Sequence, residues 1–246
     1  MSSSTIIVIV AALLILGGLW LFKKKPSNVS SASTHTTTQH NKVNAEKFVA
    51  RLDELGYFKY ADPKDLDNLK KNMLEGYDPT NELVSIWDDN TSTPKDYRYY
   101  FCDNETLFEE GGFTDMLKDL KPTFDKIGLT INVTDHYEVW DNTNKWLNHT
   151  ITIKGVKYVI FKNFTEMGWG EAIQRFVEIL NDQLAKQDKE DRIYPASGGN
   201  DGRIIFLSNE QFKYIDSVYE NPIWKPLRVK DWCKAMGVNY MPVDGK

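Results

Sequence analysis

The first pattern along the chain is an apolar run from Ile6 to Phe22 that contains no charged residue. A helix over this run would span roughly 25 Å, just enough for a thin hydrocarbon core. A cleaved secretory signal is the alternative, but MSSST carries no positive charge and the only A-x-A-like site, at 30–32, lies well beyond the run. We therefore expect an uncleaved anchor over 6–22, with Trp20 at the membrane interface.

Lys23, Lys24 and Lys25 follow the apolar run directly, whereas no charged side chain precedes it. Positive residues beside a membrane span stay on the cytoplasmic side, so residues 1–25 predict a cytoplasmic C-terminal body. One feature favours the opposite orientation, because glycosylation-type triplets recur along the chain. They begin at Asn28, Asn90, Asn104, Asn132, Asn148 and Asn163. Chains rich in Asn, Ser and Thr produce such triplets by chance, so we give the lysines more weight.

Residues 26–43 are dominated by Ser and Thr and show no hydrophobic periodicity, which is typical of a flexible linker. Helical periodicity begins at 44 and is expected to end at Gly56. The next helix is expected to have Asp62 as its N-cap, Pro63 in its first turn and Gly76 as its stop.

The hydrophobic pattern then changes to the alternation typical of strands, first over 82–87 and 96–102. Both faces of 96–102 are largely apolar, so we expect this strand to be central in its sheet. After a helix broken near Pro122, two strands are expected over 129–139 and 147–153. A tight turn at Lys154-Gly155 leads into a third strand.

The longest helix is expected over 168–187, where apolar residues recur every three or four positions. Two short strands, 192–195 and 203–208, follow it. Ser208 and Gln211 form a capping-box pattern that should open the next helix. Clustered strands flanked by helices indicate an α+β fold. We expect a single globular domain over 44–246, with a central and largely antiparallel sheet behind the anchor and linker.

The net charge of this body disfavours some classes of partner. All 35 acidic residues lie beyond position 43, whereas four of the 30 basic residues precede it, so the body carries 26 bases against 35 acids, a net −9. An acidic body disfavours nucleic acid, since phosphates are bound by Lys and Arg, and it suits a basic protein partner. We find no P-loop, G-x-S-x-G, H-E-x-x-H or dinucleotide motif, and we expect no cofactor. Cys102 and Cys233 are expected to be buried free thiols.

The glycine-rich stretch SGGNDG, residues 197–202, is the most site-like segment. It lacks the helix that follows a phosphate-binding loop, and Asp201 would repel a phosphate. A strand-linking turn that needs positive φ is one interpretation. A binding loop at Gly199 that presents Asn200 and Asp201 is the other.

His136 and His149 are the only histidines of the body. A four-residue loop between their strands would place them opposite each other and, with Glu138, make a metal site conceivable. That register pairs polar with apolar residues, however. Matching the apolar faces shifts the register by one and sends the histidines to opposite sides of the sheet. The sequence therefore predicts no metal site and leaves these histidines as weak candidate ligands.

Two functions fit these patterns. The first is a membrane-tethered binding module that holds or neutralises a protein partner, possibly a basic one, at the membrane through its exposed aromatic residues. The second is a membrane-anchored hydrolytic enzyme with a site near residues 197–202. A deep cleft that holds Asp201, His136 or Glu171 would favour the enzyme, and a flat acidic patch with exposed aromatic residues would favour the binding module.

Overall fold

The computed structural model describes residues 44–88, 91 and 93–243. The expected anchor at 6–22, the three lysines and the linker lie outside the described residues. Among the residues that are described, no helix is long and apolar enough to cross a bilayer.

Eight α-helices lie within the described ranges, and several of their ends coincide with the sequence signals. They are α1 (44–54), α2 (Leu66–Glu75), α3 (Asn104–Phe108), α4 (Gly112–Asp119), α5 (Lys121–Ile127), α6 (Trp169–Lys186), α7 (Asn209–Val218) and α8 (Val229–Met236). Gly56, with φ of 70°, follows α1, and the expected break near Pro122 separates α4 from α5. The Ser208–Gln211 capping box is formed at the start of α7.

The strands form two antiparallel sheets of three strands each, rather than the one central sheet expected. The strands are β1 (Tyr99–Phe101), β2 (Val133–Asp141), β3 (Trp146–Ile153), β4 (Val156–Phe164), β5 (Arg192–Ala196) and β6 (Arg203–Leu207). The first sheet has the order β1-β6-β5 and the second has the order β2-β3-β4. With helices on their flanks, the two sheets make a single α+β domain.

The expectation of a central strand at 96–102 is wrong, because β1 lies at the edge of the first sheet and β6 lies in its middle. The apolar pattern of β1 has a different cause. Helices cover both faces of this sheet, so that alternate residues of β6 enter two separate hydrophobic clusters. Ile204 and Phe206 face the larger cluster, whereas Ile205 and Leu207 face the smaller one. An edge strand covered on both faces is as apolar as a central strand.

The second sheet is covered on one face only. Leu147, Ile151 and Ile153 of β3 are buried in the same cluster as the apolar stripe of α6. The turn into β4 has positive φ at Lys154 and Gly155, as the sequence predicts for a tight hairpin. The opposite face of this sheet carries exposed side chains.

Two local predictions are corrected. Asp62 does not cap α2, which begins three residues later, after Asp65; Asp62 instead accepts a hydrogen bond from Lys126 Nζ at 2.6 Å. Residues 82–87 form no strand among the described residues of that segment, apart from an isolated bridge between Trp87 and Pro94.

Candidate functional site

A β-bulge in β2 brings the two histidines of the body together. Val133 pairs with Ile153, but Asp135 pairs with Thr152, so Thr134 is an extra residue in the ladder. Beyond the bulge, alternate residues of β2 exchange faces. Val133 before the bulge and His136 after it therefore both point to the inner face.

The expectation that matching the apolar faces would separate the histidines is wrong for this reason. Because of the bulge, apolar Val133 lies opposite Ile153 on one side of it, and polar Glu138 lies opposite His149 on the other side. Glu138 lies directly opposite His149, and His136 lies diagonally from it, opposite Ile151. A shift of the whole register would send the two histidines to opposite faces, whereas the one extra residue keeps both on the inner face.

The three side chains form a compact polar cluster, which we call the His-Glu-His cluster. His136 Nε2 lies 2.9 Å from His149 Nε2 and 3.7 Å from Glu138 Oε2. Glu138 Oε1 lies 3.5 Å from His149 Nδ1, too far for a strong hydrogen bond. One potential ligand atom from each residue lies within 4.8 Å of the others.

The His-Glu-His cluster is nearly closed to solvent, except at His136. The side chains of His149 and Glu138 are 2% and 4% exposed, whereas that of His136 is 25% exposed. Phe113 packs on His149 with ring centroids 5.0 Å apart, and Phe161 lies on another side of it. Solvent therefore reaches the cluster from the side of His136.

Burial changes the proton affinities of the cluster. Burial lowers the pKa of His149 to about 3, and the neighbouring His136 acts in the same direction. Burial also raises the pKa of Glu138 above its usual range, although the Gly111 N–H, which donates to its Oε2 at 2.9 Å, opposes this. A buried imidazole that stays neutral keeps a lone pair for a hydrogen bond or a metal ion.

The second candidate, the glycine-rich loop, is a hairpin connection between β5 and β6. Ser197 and Gly199 have φ of 53° and 62°, which is the positive φ expected of a strand-linking turn. Asn200 and Asp201 are exposed on a single 3₁₀ turn. Gly202 is packed so closely that an added Cβ would lie 2.3 Å from the Cys102 carbonyl oxygen. The conformation of the loop is thus explained by packing and turn geometry.

The exposed face of the second sheet, which we call the outer face, carries three exposed apolar or aromatic side chains among polar ones. Tyr137 and Val139 of β2 are 51% and 42% exposed, and Val159 of β4 is 40% exposed. Thr150 of β3 lies between Tyr137 and Val159, so these three residues form one row across the sheet. From His136 to Val139, β2 therefore places polar ligand-type groups inside and apolar groups outside, the reverse of the usual pattern.

The sequence patterns did not predict the buried ion pair between Arg98 and Asp191. Arg98 is fully buried, and its guanidinium donates to the Phe206 carbonyl at 2.7 Å and to Asp191 at 3.2 Å. It also lies over the rings of Tyr57 and Tyr60. No local motif marks this pair, because its members are 93 residues apart in the chain.

The two cysteines are free and buried, as expected. Burial raises the pKa of Cys233 to about 12, and the pKa of Cys102 is also raised by burial. A thiol that stays protonated is a poor nucleophile, so neither cysteine has the environment of a reactive thiolate.

No protein-family model, no curated protein and no solved structure matches this chain. Its function has to be inferred from its own residues and their geometry.

Proposed function

We propose that this chain is a single-pass membrane protein whose body, residues 44–246, binds a basic protein partner at the cytoplasmic face of the membrane. The apolar run at 6–22 supports the tether, and Lys23, Lys24 and Lys25 support the orientation. The linker at 26–43 would keep the body within on the order of 20–25 Å of the bilayer.

The observation that carries the proposal is the outer face. Tyr137, Val139 and Val159 place exposed apolar and aromatic side chains on this face. A solvated sheet face ordinarily carries polar residues at these positions. Tyrosine is enriched at protein interfaces because its ring buries a large area while its hydroxyl group keeps a polar partner.

Charge determines the kind of partner we propose. The body carries a net −9, so long-range electrostatics favour the approach of a surface rich in Lys and Arg. Asp135 and Lys157 lie at the two ends of a row next to Tyr137 and their charges cancel, so the negative charge that favours a basic partner is that of the body as a whole. A partner with an apolar centre and a basic rim fits this combination.

The alternative function, a membrane-anchored hydrolytic enzyme with a site near residues 197–202, has less support. Asn200 and Asp201 are exposed on a turn, where the water exclusion on which catalytic electrostatics depend is difficult to achieve. Their role in binding remains a prediction of the sequence.

A cross-linking experiment tests the binding surface. A photoreactive phenylalanine derivative at position 137 of the full chain should capture a partner with excess Lys and Arg in cells, and one at position 223 should not. Tyr137→Ser should weaken the isolated complex, and Ile223→Ser is the matched control, since Tyr137 and Ile223 are each 51% exposed. Rising salt should slow association. Equal effects of the two substitutions, or an acidic partner, would refute the proposal.

A topology reporter tests the tether. A fusion after Lys246 to an enzyme that is active only outside the cytoplasm should be silent in the natural chain. Moving the three lysines ahead of Thr5 should activate it, because the charge bias would then favour the opposite orientation. Activity in the unmodified fusion would place the body on the other side of the membrane, and the partner would have to be sought there.

A further inference from the structure

We propose that His136, Glu138 and His149 bind one divalent transition-metal ion of the zinc type. This inference does not depend on the proposed function. It rests on the position of the three side chains, on the chemistry of their donor atoms and on the contacts that hold them in place.

The donor atoms suit such an ion. Two imidazole nitrogens and one carboxylate oxygen are a known zinc ligand set, and imidazole also suits copper, iron and nickel. Calcium and magnesium prefer all-oxygen ligand sets, so this cluster discriminates against them. Three protein ligands leave a further coordination position for water, and solvent reaches the cluster at His136.

The spacing of the atoms also fits. Zinc ligands at about 2.0–2.1 Å in a tetrahedral arrangement lie roughly 3.3–3.4 Å from one another. The separation of the two imidazole Nε2 atoms is 2.9 Å, and that between His136 Nε2 and Glu138 Oε2 is 3.7 Å. Both values are close to the required separation, whereas Glu138 approaches His149 from its Nδ1 side, at 3.5 Å. One ligand atom from each residue lies within 4.8 Å of the others, so side-chain rotations have to bring the three around one ion.

The surroundings hold the ligands in place. The Gly111 N–H, from the turn before α4, donates to Glu138 Oε2 and so holds the orientation of the carboxylate. Phe113 and Phe161 pack against the His149 ring. Partners that orient ligands and an apolar shell that excludes water are what supports a metal in proteins.

Without an ion, the Glu138 carboxylate has few hydrogen-bond donors around it. The two histidines share one hydrogen bond between their Nε2 atoms. The Glu138 side chain is 4% exposed and has only the Gly111 N–H as a hydrogen-bond donor within the described residues. A buried carboxylate with a single donor is unfavourable. A dication would pair with this carboxylate and join the edge strand β2 to β3.

Metal binding can be measured on the full chain, purified in detergent without a polyhistidine tag and treated with a chelator. Calorimetric titration with Zn²⁺ should give one ion per chain. Co²⁺ should give the visible absorption of a low-symmetry site with nitrogen and oxygen ligands. His136→Gln and Glu138→Gln should each lower the affinity for Zn²⁺ by at least about 100-fold, the upper end of the effect of losing a supporting partner.

The linker provides a matched control. The double variant His35→Gln/His40→Gln should keep the natural stoichiometry and affinity. His136→Gln is the most informative variant, because its partly exposed side chain can change without opening the core, and circular dichroism would verify its fold. The proposal is overturned if the natural chain binds no stoichiometric Zn²⁺ or Co²⁺, if His136→Gln binds as tightly as the natural chain, or if binding is lost with the linker histidines.

Discussion

Replacing Arg98 by methionine should be one of the most destabilising single substitutions in the body. Arg98 has no exposed surface, and it connects three elements. Its guanidinium donates to the backbone carbonyls of Gly56 and Tyr57 after α1, to the Phe206 carbonyl of β6, and to Asp191 before β5. Methionine keeps much of the volume but removes every one of these donors.

The magnitude follows from what remains buried. The side chain of Asp191 is 2% exposed, and Arg98→Met would leave this carboxylate with the Tyr60 hydroxyl group and with Lys59 Nζ at 3.8 Å. Breaking a buried ion pair in this way costs about 3–5 kcal/mol. A domain of this size has about 5–15 kcal/mol of stability and loses about 2–4 °C in Tm per kcal/mol. The Tm should therefore fall by about 6–20 °C.

Thermal and urea unfolding of the body, followed by circular dichroism, measure this change. Lys118→Met is the matched control. Lys118 Nζ lies 2.7 Å from Asp115 Oδ1, but both side chains are at least 70% exposed. It should cost about 0.5 kcal/mol or less. Arg98→Met/Asp191→Asn should cost less than the sum of its single substitutions, since no buried charge is then left unpaired. The reasoning is refuted if Arg98→Met costs no more than Lys118→Met, or if the two single effects add.

Three further predictions concern the body as a whole. Residues 44–246 should fold without the anchor, giving a soluble product that unfolds cooperatively, because the apolar faces of its helices and strands are buried among themselves. Its free energy of unfolding should fall as the pH rises above about 10, since burial raises the pKa of Tyr57 and Tyr99, so that these tyrosines ionise only in the unfolded chain. Cys102 and Cys233 should resist alkylation in the native protein and react after denaturation, because burial raises the pKa of both thiols.

Each of these three predictions has a clear contrary result. An aggregated or molten fragment would mean that the body needs the membrane or a partner in order to fold. Stability that is constant through the tyrosine titration range would mean that the buried hydroxyl groups are reached by water. Rapid alkylation at neutral pH would mean that the helices around the thiols open readily.

Most helices and turns could be predicted from the sequence because their signals are local. The capping box at Ser208, the glycine after α1 and the Lys154-Gly155 turn each depend on residues within a few positions of one another. The apolar stripe of α6 is equally local, since it repeats with the period of the helix itself. Such signals need no information from elsewhere in the chain.

The pairing of the strands could not be predicted in this way. The apolar pattern of β1 indicates burial on both faces, but an edge strand and a central strand share that pattern when helices cover both sides. The division into two sheets depends on which edges meet, and the Arg98–Asp191 pair joins residues that are far apart in the chain. Periodicity says which face of an element is apolar, and it does not say which element covers that face.

The candidate site likewise has features that the sequence predicts and one that depends on the tertiary structure. From the sequence by itself, His136, Glu138 and His149 could be identified as possible ligands on neighbouring strands, and the apolar residues indicated which face of each strand is buried. Only the tertiary structure decided that Thr134 forms a bulge and so brings these ligands to one face. A bulge leaves one backbone position unpaired but improves the packing of the whole strand. Whether the gain exceeds the loss depends on the core beneath the sheet.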